Sequence, residues 1–485
     1  MLDFIASTPG VYWVWLVFHL LVMPVAAFHA LVYKRDHRAA LGWIGIIVIA
    51  PVVGPLIYFF FGINRLRSRA RLFTGRYLPF MHFGFERASL SAPAGFQDPL
   101  SGAQDNPALA MVGGRVTGTK LLSGNQLGML TNGETFFPRL LAEIERAQTH
   151  ILVSSYLFSS RGIARDVIDC LSQAVERGVR VYVLIDGFGV LYSLRRALRP
   201  LRKADVEVAL FMPPRLLPPS ISINLRNHRK IVVVDGKVAF FGGINIDQRH
   251  MVEDPANSHP TEDIQFEARG PVVGSLQKLF TEDWWLATHE NLVLPDPTEN
   301  MTGRTACRVI NDGPDESLDH LAMTLNGVFA SARYEIAIMM PYFLPNREML
   351  AVLQTATLRG VRVRIILPER SNLRILDWAT RNMLWELLIW NVDIYYKPPP
   401  FAHSKLIVVD DHYVLGGSAN LDPRSLRLNF ELGVEMFDRE LAARVTAHMD
   451  TVMAESRPVE LAELDNRPLT ARARDALCWL FSSYL

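Results

Sequence analysis

Cysteine is scarce. Cys170, Cys307 and Cys478 are the three in 485 residues, an odd number, widely spaced and without a Cys-x-x-Cys pair. The sequence therefore indicates neither a disulfide framework nor a structural zinc site, and it fits a reduced compartment for the main body. Net charge is almost absent as well: 50 Lys and Arg against 49 Asp and Glu leave +1, which gives no support to a protein that grips nucleic acid through bulk positive charge. Apolar residues are not in short supply. They make up 49% of the chain, with 31 Gly and 29 Pro, which excludes a disordered, collagenous or coiled-coil protein. The length exceeds that of one compact domain and predicts two or three, or a duplicated one.

A local absence is more informative. No Asp, Glu, Lys or Arg occurs from Phe4 to Tyr33 or from Ala39 to Asn64, and each run exceeds the ~20 residues a helix needs to cross a bilayer. The link between them, Lys34 to Arg38, is too short to hold a domain, so the sequence predicts a two-helix transmembrane hairpin over residues 1–64. A cleaved signal peptide fits poorly, because the charge that precedes the first run is Asp3 and a second run follows. Residues 1–80 carry +6 and the remainder −5. Five arginines between Arg65 and Arg76 outweigh the three basic residues of the link, which favours placing residues 65–485 in the cytoplasm. Residues 65–118 read as a basic flank followed by a linker rich in Ser, Ala, Gly and Pro over 88–118.

Beyond the linker the chain repeats itself. Ala174-Val-Glu-Arg-Gly-Val-Arg-Val-Tyr-Val-Leu-Ile185 reads like Ala356-Thr-Leu-Arg-Gly-Val-Arg-Val-Arg-Ile-Ile-Leu367, and the apolar runs 151–158 and 336–343 precede them with Tyr156 and Tyr342 near their ends. With His228 and His403 downstream, three correspondences in one order mean two copies of a unit, here residues 119–298 and 299–485. In the first copy the pattern predicts a helix from Asn132 to about Gln148, a strand over 151–158, a helix over 164–177 and a strand over 179–185. Alternating helices and β-branched runs predict an α/β fold with largely parallel sheets.

Each copy carries one polar constellation. His228-Arg-Lys230-x4-Asp235 is followed by Gly242-Gly-Ile-Asn245, and His403-Ser-Lys405-x4-Asp410 by Gly417-Ser-Ala-Asn420. In a strand, residues two apart share a face, so His228 should point with Lys230 and His403 with Lys405. Asp235 and Asp410 fall at odd separation, which assigns them, within the catalytic motif, to orientation and structural pairing. Two imidazoles and two ammonium groups suit phosphodiester chemistry without a metal or cofactor: one neutral imidazole attacks phosphorus, the other protonates the leaving alkoxide and then deprotonates the incoming hydroxyl. Lys230, Lys405, Asn245 and Asn420 are the candidates to hold the substrate's phosphate oxygens. Asp263 and Glu431, each downstream of its asparagine, are the candidates to orient the histidines.

These motifs resemble the HKD signature of the phospholipase D superfamily, and their order resembles that of bacterial cardiolipin synthases. The likeness includes Pro51-x-x-Gly54-Pro55-x-x-Tyr58-x-x-x-Gly62, Arg226-Asn-His-Arg-Lys230, Pro341-Tyr342-Phe343 and Asn420-x-Asp422-x-Arg424-Ser425-x-x-x-Asn429-x-Glu431. It implies duplicated α/β sandwich halves sharing an active site about a pseudo-twofold axis. It also implies phosphatidyl transfer between two phosphatidylglycerols, giving cardiolipin and glycerol through a phosphohistidine, with membrane phospholipids as partners and no nucleic acid. The resemblance implies His228 as nucleophile and His403 as acid and base; the sequence by itself does not separate the two roles. Hydrolysis to phosphatidic acid, or transfer with a different headgroup, is the alternative chemistry of the same motifs. One stretch departs from the family: after Asn245 the usual Gly-Tyr turn and Trp-Arg-Asp element are replaced by Gln248 to Asp263, in which the aspartate alone remains. Phe211 to Pro219 and Pro398 to Phe401, which precede the two histidines, are candidates for an apolar mouth.

Overall fold

The computed structural model describes residue 13 and residues 16–34, 37–62, 107–189, 197–213, 225–298, 300–301, 303–314 and 317–480. The basic flank Arg65 to Arg76, most of the linker, and Pro214 to Pro219 of the first apolar mouth lie outside the described residues. The chain divides into two units, Met1–Tyr77 and Leu78–Leu485.

The first unit is helical, yet among its described residues no helix is long and apolar enough to cross a membrane. The two charge-free runs are each interrupted. In the first, a π-helical turn, Phe18–Val22, precedes the helix Met23–Tyr33. In the second, the helix His37–Ile49 stops before Pro51, and a short helix Val53–Ile57 and a π turn Tyr58–Gly62 follow. Proline disfavours helical backbone in the residue before it, and 13 residues of helix span only about 20 Å. Where the chain folds back, a Cβ on Gly54 would lie 2.4 Å from the Ile46 carbonyl, so that contact requires glycine. Tyr58 is buried there, its hydroxyl 2.8 Å from His29 Nδ1 and its ring edge-on to Trp43.

The second unit is an α/β fold built on one mixed sheet. The first copy supplies β1 (Leu122–Thr131), β2 (His150–Ser155), β3 (Arg180–Asp186), β4 (Glu207–Phe211), β5 (Arg226–Asn227), β6 (Ile231–Val234), β7 (Val238–Gly242), β8 (Thr261–Glu262) and β9 (Ile264–Arg269). The second supplies β10 (Thr305–Asp312), β11 (Glu335–Met339), β12 (Arg362–Pro368), β13 (Asp393–Lys397), β14 (Phe401–Ala402), β15 (Leu406–Val409), β16 (Tyr413–Gly417) and β17 (Asn429–Phe437). Outward from the central antiparallel pair β1–β10, one side runs β9, β7, β6, β2, β3, β4 and the other β17, β16, β15, β11, β12, β13. Equivalent strands of the two copies thus occupy equivalent places. The sheet is less parallel than the sequence pattern suggests: β2–β3–β4 and β11–β12–β13 are parallel, but β6–β7 and β15–β16 are antiparallel hairpins. Their turns begin at Asp235 and Asp410, both at positive φ, a conformation Asp tolerates better than most residues.

The expected helices are present as Asn132–Arg146 and Ile163–Glu176, and the strands as β2 and β3. Burial of Ala164, Val167, Ile168, Leu171 and Ala174 follows helical spacing. The repeated Arg-Gly pair ends a helix in both copies, with Gly178 and Gly360 each at φ 87°, the left-handed conformation that closes a helix C-terminus. One segment read as linker is structured: the helix Pro107–Thr117 buries Leu109 and Ala110 in the core of the second copy and packs on the helix His320–Ser331.

Candidate active site

Neither histidine lies within a regular strand. Each occupies the short gap between two strands of its motif, β5 and β6 for His228, β14 and β15 for His403. What places them is an exchange between the copies. β5 pairs in parallel with the start of β17, Arg226 opposite Asn429 and Asn227 opposite Phe430, and the His228 N–H donates to the Phe430 carbonyl at 3.0 Å. β14 pairs in the same way with β8, Phe401 opposite Thr261 and Ala402 opposite Glu262, and the His403 N–H donates to the Glu262 carbonyl at 2.7 Å. The next residue in each register is a carboxylate of the opposite copy. Hence His228 Nδ1 lies 3.0 Å from Glu431 Oε2, and His403 Nδ1 2.6 Å from Asp263 Oδ2. Both carboxylates are fully buried and both imidazoles largely so.

The oxygens fix the tautomer of His228. His228 Nδ1 faces the Ser418 carbonyl at 3.1 Å as well as Glu431, and two acceptors require the ring proton on Nδ1, leaving the Nε2 lone pair for chemistry. Glu431 is itself held by the Ser418 hydroxyl and by Asn429 Nδ2, which donates to Oε1 at 2.9 Å. At His403, Nδ1 faces Asp263, while Lys405 Nζ lies against the ring, 2.8 Å from Nδ1 and 3.0 Å from Nε2. Lys230 Nζ donates to the His228 carbonyl at 2.6 Å and lies 5.6 Å from the Tyr156 ring, which meets His228 edge-on at 5.2 Å. Tyr342 meets His403 in the same way at 6.3 Å. The two tyrosines that mark the repeat therefore wall the two half-sites.

Burial governs the protonation states. It holds the His228 imidazole below its ordinary value against the opposing pull of Glu431. It lowers His403 well below that value, with the charges of Lys405, Lys230 and His228 adding to the effect. Those contributions from the other copy reflect how closely the two half-sites approach. Burial likewise brings Lys230 down to about 7 and Lys405 down to about 8. Glu431 lies below the usual carboxylate range because His228 and Lys230 outweigh its desolvation, whereas for Asp263 burial prevails and the value is raised.

The asparagines sit beside these groups. Asn245 Oδ1 accepts from the Leu157 N–H at 3.1 Å, and Asn420 Nδ2 donates to Ser425 Oγ at 3.2 Å, leaving a buried Oδ1 without a partner among the described residues. Asp235 and Asp410 are not brought to the histidines. Asp235 accepts from the backbone N–H groups of Gln148, Thr149 and His150 at the start of β2, and Asp410 from those of Arg333, Tyr334 and Glu335 at the start of β11. Asp235→Ala is therefore expected to destabilise the fold by about 2–4 kcal/mol while changing the activity per folded molecule by no more than about twofold. Thermal unfolding beside specific activity separates the two; a large activity loss at unchanged melting temperature would contradict the assignment.

Two supports escaped the sequence reading. Arg229, between the motif histidine and lysine, is buried, donates through Nε to the Glu431 carbonyl at 3.0 Å and pairs with Asp283. His250, inside the stretch that departs from the family, is buried, and its Nε2 accepts from the Asn245 N–H at 3.3 Å while Nδ1 donates to the Thr261 carbonyl at 3.2 Å. Burial brings its pKa down to about 4, so it serves as a neutral brace. No spacing rule announces either role: the partners of Arg229 are remote in sequence, and Asn245 and Thr261, the partners of His250, follow no periodic pattern.

Comparison with known proteins agrees with this geometry. Residues 140–284 and 325–453 match the family described as "Cardiolipin synthase, PLD-like domain", and residues 11–62 match the phospholipase D-nuclease N-terminal family. The chain is 29% identical to the major cardiolipin synthase of Bacillus subtilis over 93% of its own length and 95% of that protein's. It is 31% identical to the cardiolipin synthase of Geobacillus kaustophilus over 97% and 94%. Among solved structures, phosphatidylserine synthase of Haemophilus influenzae shares the fold with a TM-score of 0.56 at 16% identity, covering 75% of this chain and 97% of that one.

Proposed function

The chain belongs to the family of cardiolipin synthases with PLD-like domains, and on that premise we propose that it transfers a phosphatidyl group from one phosphatidylglycerol to another, forming cardiolipin and releasing glycerol. The observation that carries this reading is the crossed pairing, His228 on Glu431 and His403 on Asp263, which gives one site two imidazoles, each held by a buried carboxylate of the opposite copy.

In the first step His228 Nε2 attacks the donor phosphorus, the bond from phosphorus to the glycerol oxygen breaks, and protonated His403 delivers its proton to the departing alkoxide. In the second, neutral His403 takes the proton of the acceptor's hydroxyl, that oxygen attacks phosphorus, and the bond to His228 breaks. Both histidines return to their starting states. Geometry favours His228 as nucleophile because Lys405 lies against both ring nitrogens of His403, whereas Lys230 bonds the His228 carbonyl. Lys230 and Lys405 would hold the non-bridging oxygens. With Asn245 Oδ1 engaged by Leu157, its amide Nδ2 is the group left to meet the phosphate. An anionic phosphate also raises the pKa of His403, which supports its role as the acid.

The apolar first unit would seat the enzyme in the bacterial inner membrane with the catalytic unit on the cytoplasmic side, the placement that the arginines following the second run favour. Incubating the purified protein with phosphatidylglycerol vesicles and analysing lipids by mass spectrometry tests the function. Cardiolipin with equimolar glycerol is expected; phosphatidic acid as the main product would assign hydrolysis instead.

The lysines add a loss at alkaline pH to the titration of the two histidines. Lys230 and Lys405 bind phosphate when charged, and burial places their deprotonation at about 7 and about 8. Consequently kcat/KM should fall as pH rises through that range, with kcat declining later because bound phosphate raises both values. A kcat/KM profile flat to about pH 9 would contradict the charged-lysine role.

A further inference from the structure

The last described helix, Leu469–Leu480, has two unlike faces. One is docked: Asp475 is fully buried and paired with Arg467 and Arg474, and Cys478 and Trp479 pack on the core of the second copy. The other carries Leu469, Leu477 and Leu480 at 80%, 57% and 67% exposure. With Ala473 these positions recur at helical spacing and form one apolar stripe, with Arg472 and Arg474 to either side. Three leucines aligned on one helix face are more than the scattered apolar exposure of a soluble surface.

The neighbouring helix Arg374–Met383 packs against this one, and the Arg474 guanidinium lies 4.3 Å from the Trp378 ring. Its approach segment reaches the active site. Asn372 accepts the hydrogen bond of the Tyr342 hydroxyl, and Tyr342 is the ring that walls His403. Directly after Asn372, Leu373 and Ile375 are half exposed. An apolar rim at the mouth of the second half-site therefore leads onto the helix that carries the leucine stripe. Charge favours the same partner: residues 370–390 and 467–480 hold six arginines against three acids, whereas the chain beyond residue 80 is net acidic.

We propose that this edge is a bilayer-docking surface of the catalytic unit, with the leucine stripe and the rim residues entering the acyl boundary of an anionic leaflet and the exposed Arg370, Arg374 and Arg472 meeting its phosphates. The inference rests on the lipid-substrate reading above. A lipid whose headgroup must reach His403 while its chains stay in the membrane needs the mouth held against the leaflet. Apolar side chains bordered by arginine supply that contact, as in helices that lie in the membrane interface.

The test uses the full chain carrying Leu477→Asp and Leu480→Asp, assayed on phosphatidylglycerol vesicles and on short-chain phosphatidylglycerol below its micelle concentration. Cardiolipin formation on vesicles should fall by at least about tenfold, with the rate on monomeric substrate unchanged. Equal rates for variant and parent on both substrates would overturn the docking surface. Absence of cardiolipin from the parent protein on either substrate would instead overturn the functional reading. A second measurement does not depend on the double variant: a nitroxide at Leu477→Cys, with Cys478 replaced by serine, should in vesicles collide more with oxygen and less with an aqueous nickel chelate than a nitroxide at Lys278→Cys on an exposed helix position. Equal aqueous access at both sites, or immobilisation of the label in detergent without lipid, would assign the stripe to water or to a protein contact and sink the proposal.

Discussion

Replacing His228 with alanine is expected to lower the rate of cardiolipin formation by about four to six orders of magnitude, and His403→Ala by a comparable factor. The two losses should not multiply. Without His228 there is no group to carry the phosphatidyl intermediate; without His403 the alkoxide leaves unprotonated and the acceptor hydroxyl stays weak. Either deletion removes the same pathway, so the double variant should be about as slow as the worse single one. Initial rates with phosphatidylglycerol, normalised to folded protein, provide the check, and a single variant retaining activity within about tenfold of the parent would show that its histidine is not at the reacting centre. Normalisation to folded protein matters because either deletion leaves a buried carboxylate, Glu431 or Asp263, without its imidazole partner.

The second large effect concerns the carboxylates. Glu431→Gln preserves shape but replaces one acceptor oxygen with an NH2 group. Glu431 Oε2 accepts from both His228 Nδ1 and the Ser418 hydroxyl, and Oε1 accepts from Asn429 Nδ2, so the amide NH2 meets a donor in either orientation. If its NH2 turns toward Nδ1, the ring proton must move to Nε2 and the nucleophile's lone pair is lost. A loss in kcat of about 10² to 10⁴ is expected, by analogy with amide replacement of a histidine-orienting carboxylate. Asp263→Asn should act on His403 in the same way, and more through the acid and base steps than through attack. KM should change far less than kcat, because neither carboxylate is placed to touch the lipid. A change confined to KM would contradict the orienting role.

Much of the site was legible because its spacing is local. His-x-Lys sets two side chains together whether or not a strand forms, and the duplication shows that the pattern is not accidental. Asp235 and Asp410 were legible as structural from their odd separation, and the structure places them at the first residues of β2 and β11. The crossing was not legible. Asp263 and Glu431 could be named as orienting groups, but which histidine each serves depends on the short pairings β5–β17 and β8–β14, whose partners lie some 140 to 203 residues apart. Two-residue strands leave no periodic trace. The helix Pro107–Thr117 was read as linker because Gly113 and Gly114 dilute its pattern, yet Gly113 lies where a Cβ would strike Glu435 and Arg308. The two apolar runs were sound as composition, but composition counts apolar residues without registering the interruptions at Phe18–Val22 and at Pro51.

The central claim is that one catalytic cycle passes through a covalent bond between His228 and a phosphatidyl group. Quenching the working enzyme with phosphatidylglycerol under alkaline conditions, which preserve phosphohistidine, and mapping the adduct by peptide mass spectrometry tests it directly. The account predicts a phosphatidyl adduct on His228 that disappears when acceptor lipid is chased in. An adduct on His403 in place of His228, or cardiolipin formed with no adduct on either histidine, would contradict it.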